Sequence, residues 1–570
     1  MAKNKYIEVI FPKLGHFWLD SGLVGLIKIG EEIQYMNNNL VYTKVQDNNY
    51  IIKGQKENVH DFLWKCSTKL MEDYYNVSSK TQIEKNEAIV FNTLKNKFER
   101  HPKRGTFGLS KIIFNAKASA ICGKMTVKKG EIIVEDEYKQ YENQLRNFLT
   151  EENVKLTYSN NKISIPFNMP FYYRPIKKED IKLENSRKKS KNSCFFCGED
   201  KQGIFEIGGP IFPFITGING LLSFNSNAKK PERVCWKCSL LGKFVPVNGF
   251  YFSQDDHLYA FLPYSSSLEK MCNTYDSLQV TKEENPNLYN NFKHPLGYYY
   301  QSPFEVFFAF LYTIYDKLSI RQISKVEDEI EFDLNKIFDL TFHEAPLEFI
   351  VIHSKKEKDT FASKMIWSFK ETVYYYRIIK EIEKRMGISI KEPLNYLVDE
   401  TKKNKSNKNQ NITLLRNRVC ERILKKQPIL DLIEQHVFHA QLDYFKPLLE
   451  MLLTYEQLIK GEDEVYRDEQ EAAVNLGRRI GMAVAKNVSG KKGDLFALRK
   501  TRRKVDFLEQ INRLQFKLGN EFIVPSNIYE GKLRDDNFLE FKQFCMIAAL
   551  NSYNFAKNGE NTTKKEDKKL

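Results

Sequence analysis

Cys194-Phe195-Phe196-Cys197 and Cys235-Trp236-Lys237-Cys238 place four thiols in two tight pairs. Each pair can grip one tetrahedral ion from a single turn of backbone. Four thiolates close the coordination sphere and leave no position for a reactive water, so this pattern predicts a structural zinc site. The 37 residues between the pairs exceed the usual spacing of about 15–20 and read as an inserted loop. A single Cys-x-x-Cys would also suit thiol–disulfide exchange, but the second pair favours a metal. The remaining cysteines, Cys66, Cys122, Cys272, Cys420 and Cys545, are scattered and read as packing residues.

The second chemistry is binding of polyanions. Residues 478–517 hold twelve basic side chains against Asp494, Asp506 and Glu509. Six of the 20 arginines of the chain lie there, several times what uniform scatter would give. Codon drift in an AT-rich genome enriches lysine and depletes arginine, so drift does not explain the cluster. Arg478, Arg479, Lys486, Lys491, Lys492, Arg499, Arg502, Arg503, Arg513 and Lys517 are the candidate phosphate contacts. On one continuous helix Arg499, Arg503, Asp506, Gln510, Arg513 and Lys517 would share a stripe beside an apolar stripe of Phe507, Ile511, Leu514 and Leu518. A second basic region, Lys95–Gly130, carries ten basic residues and one acid, with Gly105, Gly108 and Gly123 interspersed. Glycines in basic loops allow close backbone approach to phosphates. Lys103, Arg104, Lys111, Asn115, Lys117 and Lys124 are the candidates there. Both regions also admit a bland reading, as solvated faces of a lysine-rich chain.

Signs of catalysis are sparse. The sequence has no GxxxxGK[ST], GxSxG or HExxH, and Ser489–Gly493 lacks the frame of a phosphate-binding loop. His60-Asp61 could belong to an HD-type phosphohydrolase, yet the further ligands such a site needs have no evident source. His436 and His439 share a helix face without a third ligand, and Asp255-Asp256-His257 reads as a polar turn. We expect a protein that is not an enzyme.

Elements must hold these groups in place. The chain of 570 residues suits three or four domains. The fold expected is α+β: a mixed N-terminal domain with a four-cysteine zinc-knuckle insertion, then a C-terminal helical bundle. The boundaries are 1–165, a Gly- and aromatic-rich segment 166–300 bearing the cysteines, a helical domain 301–460, a basic bundle 461–556 and a disordered tail 557–570. Tyr6–Phe11 and Lys162–Pro166 read as strands, and Asp61–Tyr75 and Asn86–Arg100 as helices. Phe361–Met386, Ile412–Leu458, Glu464–Lys486, Leu495–Leu518 and Phe538–Phe555 read as helices, and residues 401–411 as a mobile loop. No segment reaches the roughly 18 apolar residues of a membrane span. No apolar leader opens the sequence, and nine cysteines are too few for a disulfide scaffold. A cytoplasmic protein without membrane partners is expected. The net charge of +15 points to a polyanionic partner.

The cysteine pairs, the segment Gly208–Phe252 and the block LGRRIGMAVAK…DLFALRKTRRKVDFLEQI together resemble the CXXC–CXXC family of CRISPR-associated proteins. That family forms the large subunit of type I-B Cascade surveillance complexes. The resemblance implies a non-catalytic subunit that binds the 5′ region of a guide RNA and recognises a protospacer-adjacent motif. It also implies that the subunit holds target double-stranded DNA for a separate, transiently recruited helicase–nuclease. Partners would include the backbone and small subunits of the complex. The Lys95–Gly130 loops would read the motif and the 478–517 helices would hold DNA strands. An internal start at Met451 would yield a separate small subunit. A stand-alone zinc-containing RNA- or DNA-binding protein is the alternative, with the phosphohydrolase using His60 and Asp61 behind it.

Overall fold

A computed structural model describes residues 5–36, 40–75, 87–92, 95–102, 125–128, 131–134, 136–152, 163–165, 175–183, 193–199, 204–206, 211, 233–254, 256–278, 302–323, 347–357, 360–398, 400–403, 409–412, 414–440, 442–461, 463–519 and 522–566. The fold is mixed helix and strand. It divides into two compact units: Met1–Lys293 with Thr313–Thr372, and His294–Tyr312 with Val373–Leu570. Among the described residues no helix is long and apolar enough to cross a membrane.

The first unit opens with β1 (Tyr6–Pro12), α1 (Phe17–Met36), β2 (Tyr42–Gln46), β3 (Asn49–Gln55) and α2 (Lys56–Tyr74). The sheet is antiparallel in the order β1-β3-β2, a split β-α-β arrangement. Asp47 and Asn48 both take positive φ, 49° and 58°, as a tight two-residue hairpin requires. Alternation along the strands sends Val9, Phe11, Tyr50 and Ile52 inward, onto the apolar helix α1.

β4 (Glu87–Asn92) and β5 (Lys97–Pro102) form a hairpin, so the helix expected over Asn86–Arg100 is not formed. Asn96 has φ 49°, which reverses the chain, and Phe91 meets Phe98 across the strands with ring centroids 4.8 Å apart. Cross-strand aromatic pairing outweighs helical spacing here. β6 (Met125–Lys128), β7 (Glu131–Val134) and β8 (Ile163–Ile165) make a second three-stranded sheet, with α3 (Glu142–Glu151) between β7 and β8 in sequence.

The cysteine segment supplies β9 (Ile204–Glu206), β10 (Arg233–Cys235) and α4 (Trp236–Asn248). β11 (Phe250–Gln254), β12 (His257–Tyr264) and α5 (Leu268–Leu278) follow. The helix α6 (Pro303–Ile323) contributes residues to both units. β13 (Glu348–Glu357) and β14 (Thr360–Phe369) complete the four-stranded antiparallel sheet β11-β12-β13-β14. A strand over Thr360–Phe369 replaces the first part of the helix expected at Phe361–Met386. One core contains Phe11, Trp18, Leu63, Val234, Leu241 and Ile352. The boundary expected at 165 therefore falls inside a single body, and strands from beyond residue 300 belong to it.

The second unit is mostly helical: α7 (Thr372–Met386), α8 (Leu414–Leu424), α9 (Leu430–His439), α10 (Lys446–Ile459), α11 (Glu464–Lys486), α12 (Lys492–Arg499), α13 (Lys504–Leu518) and α14 (Phe538–Glu566). The boundary expected at 460 does not divide it. Residues 401–411, expected as a loop, carry the paired strands β15 (Glu400–Lys403) and β16 (Asn409–Ile412). α14 continues to Glu566, so the tail expected to be disordered from 557 is helical through that residue. Met451 lies buried within α10, and a chain begun there would lack the first turn of that helix.

Buried polar groups in this unit are matched in part. Arg416 Nε donates to Glu305 Oε1 at 2.9 Å, with both side chains almost fully buried. Asn417 Oδ1 accepts from Phe304 N at 3.0 Å. Glu456 Oε1 accepts from Ile429 N and Leu430 N at 2.7 and 3.0 Å, closing the start of α9. Gly477 and Gly481 let α11 lie against α14, because a Cβ at either would overlap the carbonyl of Cys545 or Ala549.

Candidate metal centre and basic surface

Two local structures build the cysteine cluster. Gly198 takes φ +72°, a conformation costly for any residue with a Cβ, and its N–H donates to Cys194 O at 2.9 Å. That turn brings Cys194 and Cys197 to one side. Phe195 N donates to Arg233 O at 3.0 Å, fastening the first turn to β10. The second pair sits where β10 becomes α4: Cys235 is the N-cap of the helix, and its Sγ accepts from Cys238 N at 3.5 Å.

All four sulfurs lie within 4.8 Å of one another. Cys197 Sγ and Cys235 Sγ are 3.6 Å apart. A disulfide would need about 2.05 Å, whereas sulfurs bound at about 2.3 Å to a tetrahedral ion stand about 3.8 Å apart. The donor set thus fits a metal ion of that geometry. Cys194, Cys235 and Cys238 are buried and Cys197 is half-buried. Hydrogen bonds from neighbouring thiols hold Cys194 well below its usual range, and Cys197 is lowered too. Cys235 and Cys238 are raised, chiefly by the negative sulfurs of Cys194 and Cys197. Ionising all four at this spacing would need a cation among them.

α4 is buried on every side and lies against α1, with Gly22 and Gly25 admitting the carbonyls of Leu241 and Phe244. Trp18 Nε1 donates to Ile211 O at 2.8 Å, and the Tyr75 hydroxyl donates to Lys243 O. The cysteine cluster is therefore fixed to the core through the helix it caps. Spacing picked out the four cysteines that come together; the glycines that seat α4 carry no motif.

The basic segment is not one helix. α12 ends at Arg499 and α13 starts at Lys504, so the continuous stripe expected from Arg499 to Lys517 does not form. Arg499 is bound bidentately to Glu434, at 2.6 and 3.1 Å, and lies over the ring of Phe438. It braces α12 on α9. Arg503 holds Asp506, Arg513 holds Glu509, Lys517 holds Asp494 and Lys504 lies 3.8 Å from Asp535. The cations that remain are Arg478, Arg479, Lys486, Lys491, Lys492, Lys500 and Arg502. They are exposed and hold no carboxylate among the described residues. At 100° per residue Arg479 and Lys486 lie about 180–200° from Gly477, so they face away from α14. Thr501 O accepts from Lys542 Nζ at 2.7 Å, pinning the link that carries Lys500 and Arg502. The candidates Lys103, Arg104, Lys111, Asn115, Lys117 and Lys124 lie outside the described residues.

Asp61 pairs with Lys65 at 2.9 Å, and the only metal-like cluster among the described residues is that of the four cysteines. His436 Nε2 donates to Tyr396 O and His439 Nδ1 to Gln435 O, at 2.7 and 2.6 Å. Cys66, Cys272, Cys420 and Cys545 are buried, and burial raises each thiol. Cys122 and Asp255 lie outside the described residues. His257 Nδ1 meets His353 Nε2 at 2.8 Å with the rings 7° from parallel. Burial, then His257 and nearby lysines, push His353 down to about 4. No sequence signal joins two histidines 96 residues apart.

No protein-family model matches the chain, and no curated protein matches it significantly.

Proposed function

We propose that this chain is a nucleic-acid-binding assembly protein with a structural zinc knuckle, acting as the large subunit of a type I-B CRISPR surveillance complex. The observation that carries the nucleic-acid reading is the set of seven exposed cations between Arg478 and Arg502 that hold no carboxylate among the described residues. Such a set attracts a phosphate backbone without reading its sequence. The resemblance in the cysteine pairs and the C-terminal block directs the reading to CRISPR defence. In complexes of that kind guide pairing reads sequence while protein holds backbone and strands. Zinc on Cys194, Cys197, Cys235 and Cys238 would hold the start of α4 in place. Guide RNA, target DNA and the other Cascade subunits are the proposed partners, in the cytoplasm, with cutting left to a recruited helicase–nuclease.

The test is co-purification. The tagged chain is expressed with its genomic neighbours, and the RNA that comes with it is sequenced. A discrete guide-length RNA with a constant 5′ handle is the expected result. Heterogeneous RNA bound through the same cations would overturn the CRISPR assignment in favour of a stand-alone zinc-containing binding protein.

A further inference from the structure

Among the described residues the sheet β1-β3-β2 is covered on one face only. Its inner face meets α1 and the core, while its outer face presents Tyr6 and Ile10 from β1 and Tyr42 from β2. Tyr6 is 67% exposed and Tyr42 55%. An exposed aromatic alone is ordinary, but these stand in a register that spans the sheet. Tyr42 pairs with Lys53, whose other neighbour is Glu8; Lys44 pairs with Ile51, whose other neighbour is Ile10. Lys53 is bound to Glu8 at 3.1 Å. Lys44 is exposed and holds no carboxylate among the described residues. The face thus has two tyrosine rings on its outer strands, the Lys53–Glu8 pair between them, Ile10 and Ile51 in the next row, and one uncommitted cation.

We infer that this outer face binds a single-stranded polynucleotide, stacking unpaired bases on Tyr6 and Tyr42 with Lys44 against the phosphate backbone. From strand spacing and rise, the two tyrosines stand about 12 Å apart, on opposite edges, so one strand can cross the sheet and touch both. A duplex, its bases paired inward, offers neither ring a free face. Open antiparallel sheets with helices behind them bind nucleic acid by such stacking, one base per aromatic ring. The charge balance agrees: the face's one carboxylate is neutralised by Lys53, and the free charge is positive. An added protein strand is the competing occupant, because β1 pairs with β3 alone among the described residues. The exposed rings lie on the face and not along that edge, which favours bases. This site is separate from the basic surface of the second unit.

The experiment measures fluorescence anisotropy of labelled oligouridine and oligothymidine, each of about 15 nucleotides, a length suited to one single-strand module, with the full chain. A duplex is run in parallel. Tyr6→Ala and Tyr42→Ala should each weaken oligouridine binding about tenfold, with the salt slope unchanged and melting temperature preserved. Tyr6→Phe and Tyr42→Phe, which keep the rings, should bind as the parent does. Lys44→Ala should lower the log–log salt slope by about 0.7. Equal losses on oligouridine and oligothymidine would make the ligand any single strand, and a loss confined to oligouridine would make it RNA. Either supports the site. Losses below twofold for both alanine variants would overturn it, as would a concentration-dependent dimer that these variants abolish. Arg478→Ala/Arg479→Ala, tested on the same probes, separates failure here from failure of the basic surface.

Discussion

Both units pair buried charge internally, as Lys13 does with Asp20 in the first, but the first also gathers a polar cluster of a different kind. The first brings four sulfurs within 4.8 Å, a set whose full ionisation would need a cation from outside. The second pairs Arg416 with Glu305 and gives Glu456 only two backbone N–H donors. The first unit should therefore respond to chelators and the second to pH. Each response can be sought separately.

The largest effect is expected at the sulfurs. Cys235→Ser removes a ligand and alters the N-cap of α4. Apparent zinc-binding energies in small structural sites reach about 10–16 kcal/mol. We expect loss of bound zinc by elemental analysis and rapid proteolysis of the first unit, with chelator treatment reproducing both. Full protease resistance of a zinc-free variant would remove the contrast between the units.

In the second unit Arg416→Met leaves Glu305 buried and uncompensated, which should cost about 3–5 kcal/mol. Denaturant melts should show it with and without chelator alike. Gly22→Ala comes next: its Cβ would overlap the Leu241 carbonyl, and separating α1 from α4 should cost about 1–3 kcal/mol. It should also weaken zinc retention, measured by competition with a chromogenic chelator, because α4 carries two ligands.

Glu456 sharpens the pH side. Burial raises its carboxyl to about 7 from 4.5, against the lowering effect of the two N–H donors. A raised carboxyl pKa means that stability is full below about 4.5 and declines as pH rises through about 7. Glu456→Gln should flatten that decline and add about 1–3 kcal/mol at pH 8, read from melts across pH. The smallest effect on folding is expected at Arg478→Ala and Arg479→Ala, within about 0.5 kcal/mol. Each should lower the salt slope of duplex DNA binding by about 0.9. Arg499→Ala should instead destabilise, since it leaves Glu434 without its partner.

Local chemistry was readable in the sequence where a short pattern decides it. Two Cys-x-x-Cys pairs named the four cysteines that the fold brings together, and apolar alternation marked β1. Helical spacing misled wherever contacts distant in sequence decide the outcome. Asn86–Arg100 has apolar residues that suit a helix, yet Phe91 finds Phe98 across a turn at Asn96. Arg499 looked like one more phosphate contact because its partner, Glu434, lies 65 residues upstream. Composition reports how many cations a segment has; only the fold separates those already engaged from those still available.

The seating of α4 on α1 also has a history in time. Gly25 and Phe244 meet in the finished core, yet a ribosome adding about 5–20 residues per second makes Phe244 roughly 10–40 s after Gly25. Through that interval α1, apolar along most of its length, has been synthesised without the helix that covers it. Only the face of α1 that meets α4 waits through this interval, and slowing synthesis upstream of Cys235 would lengthen it.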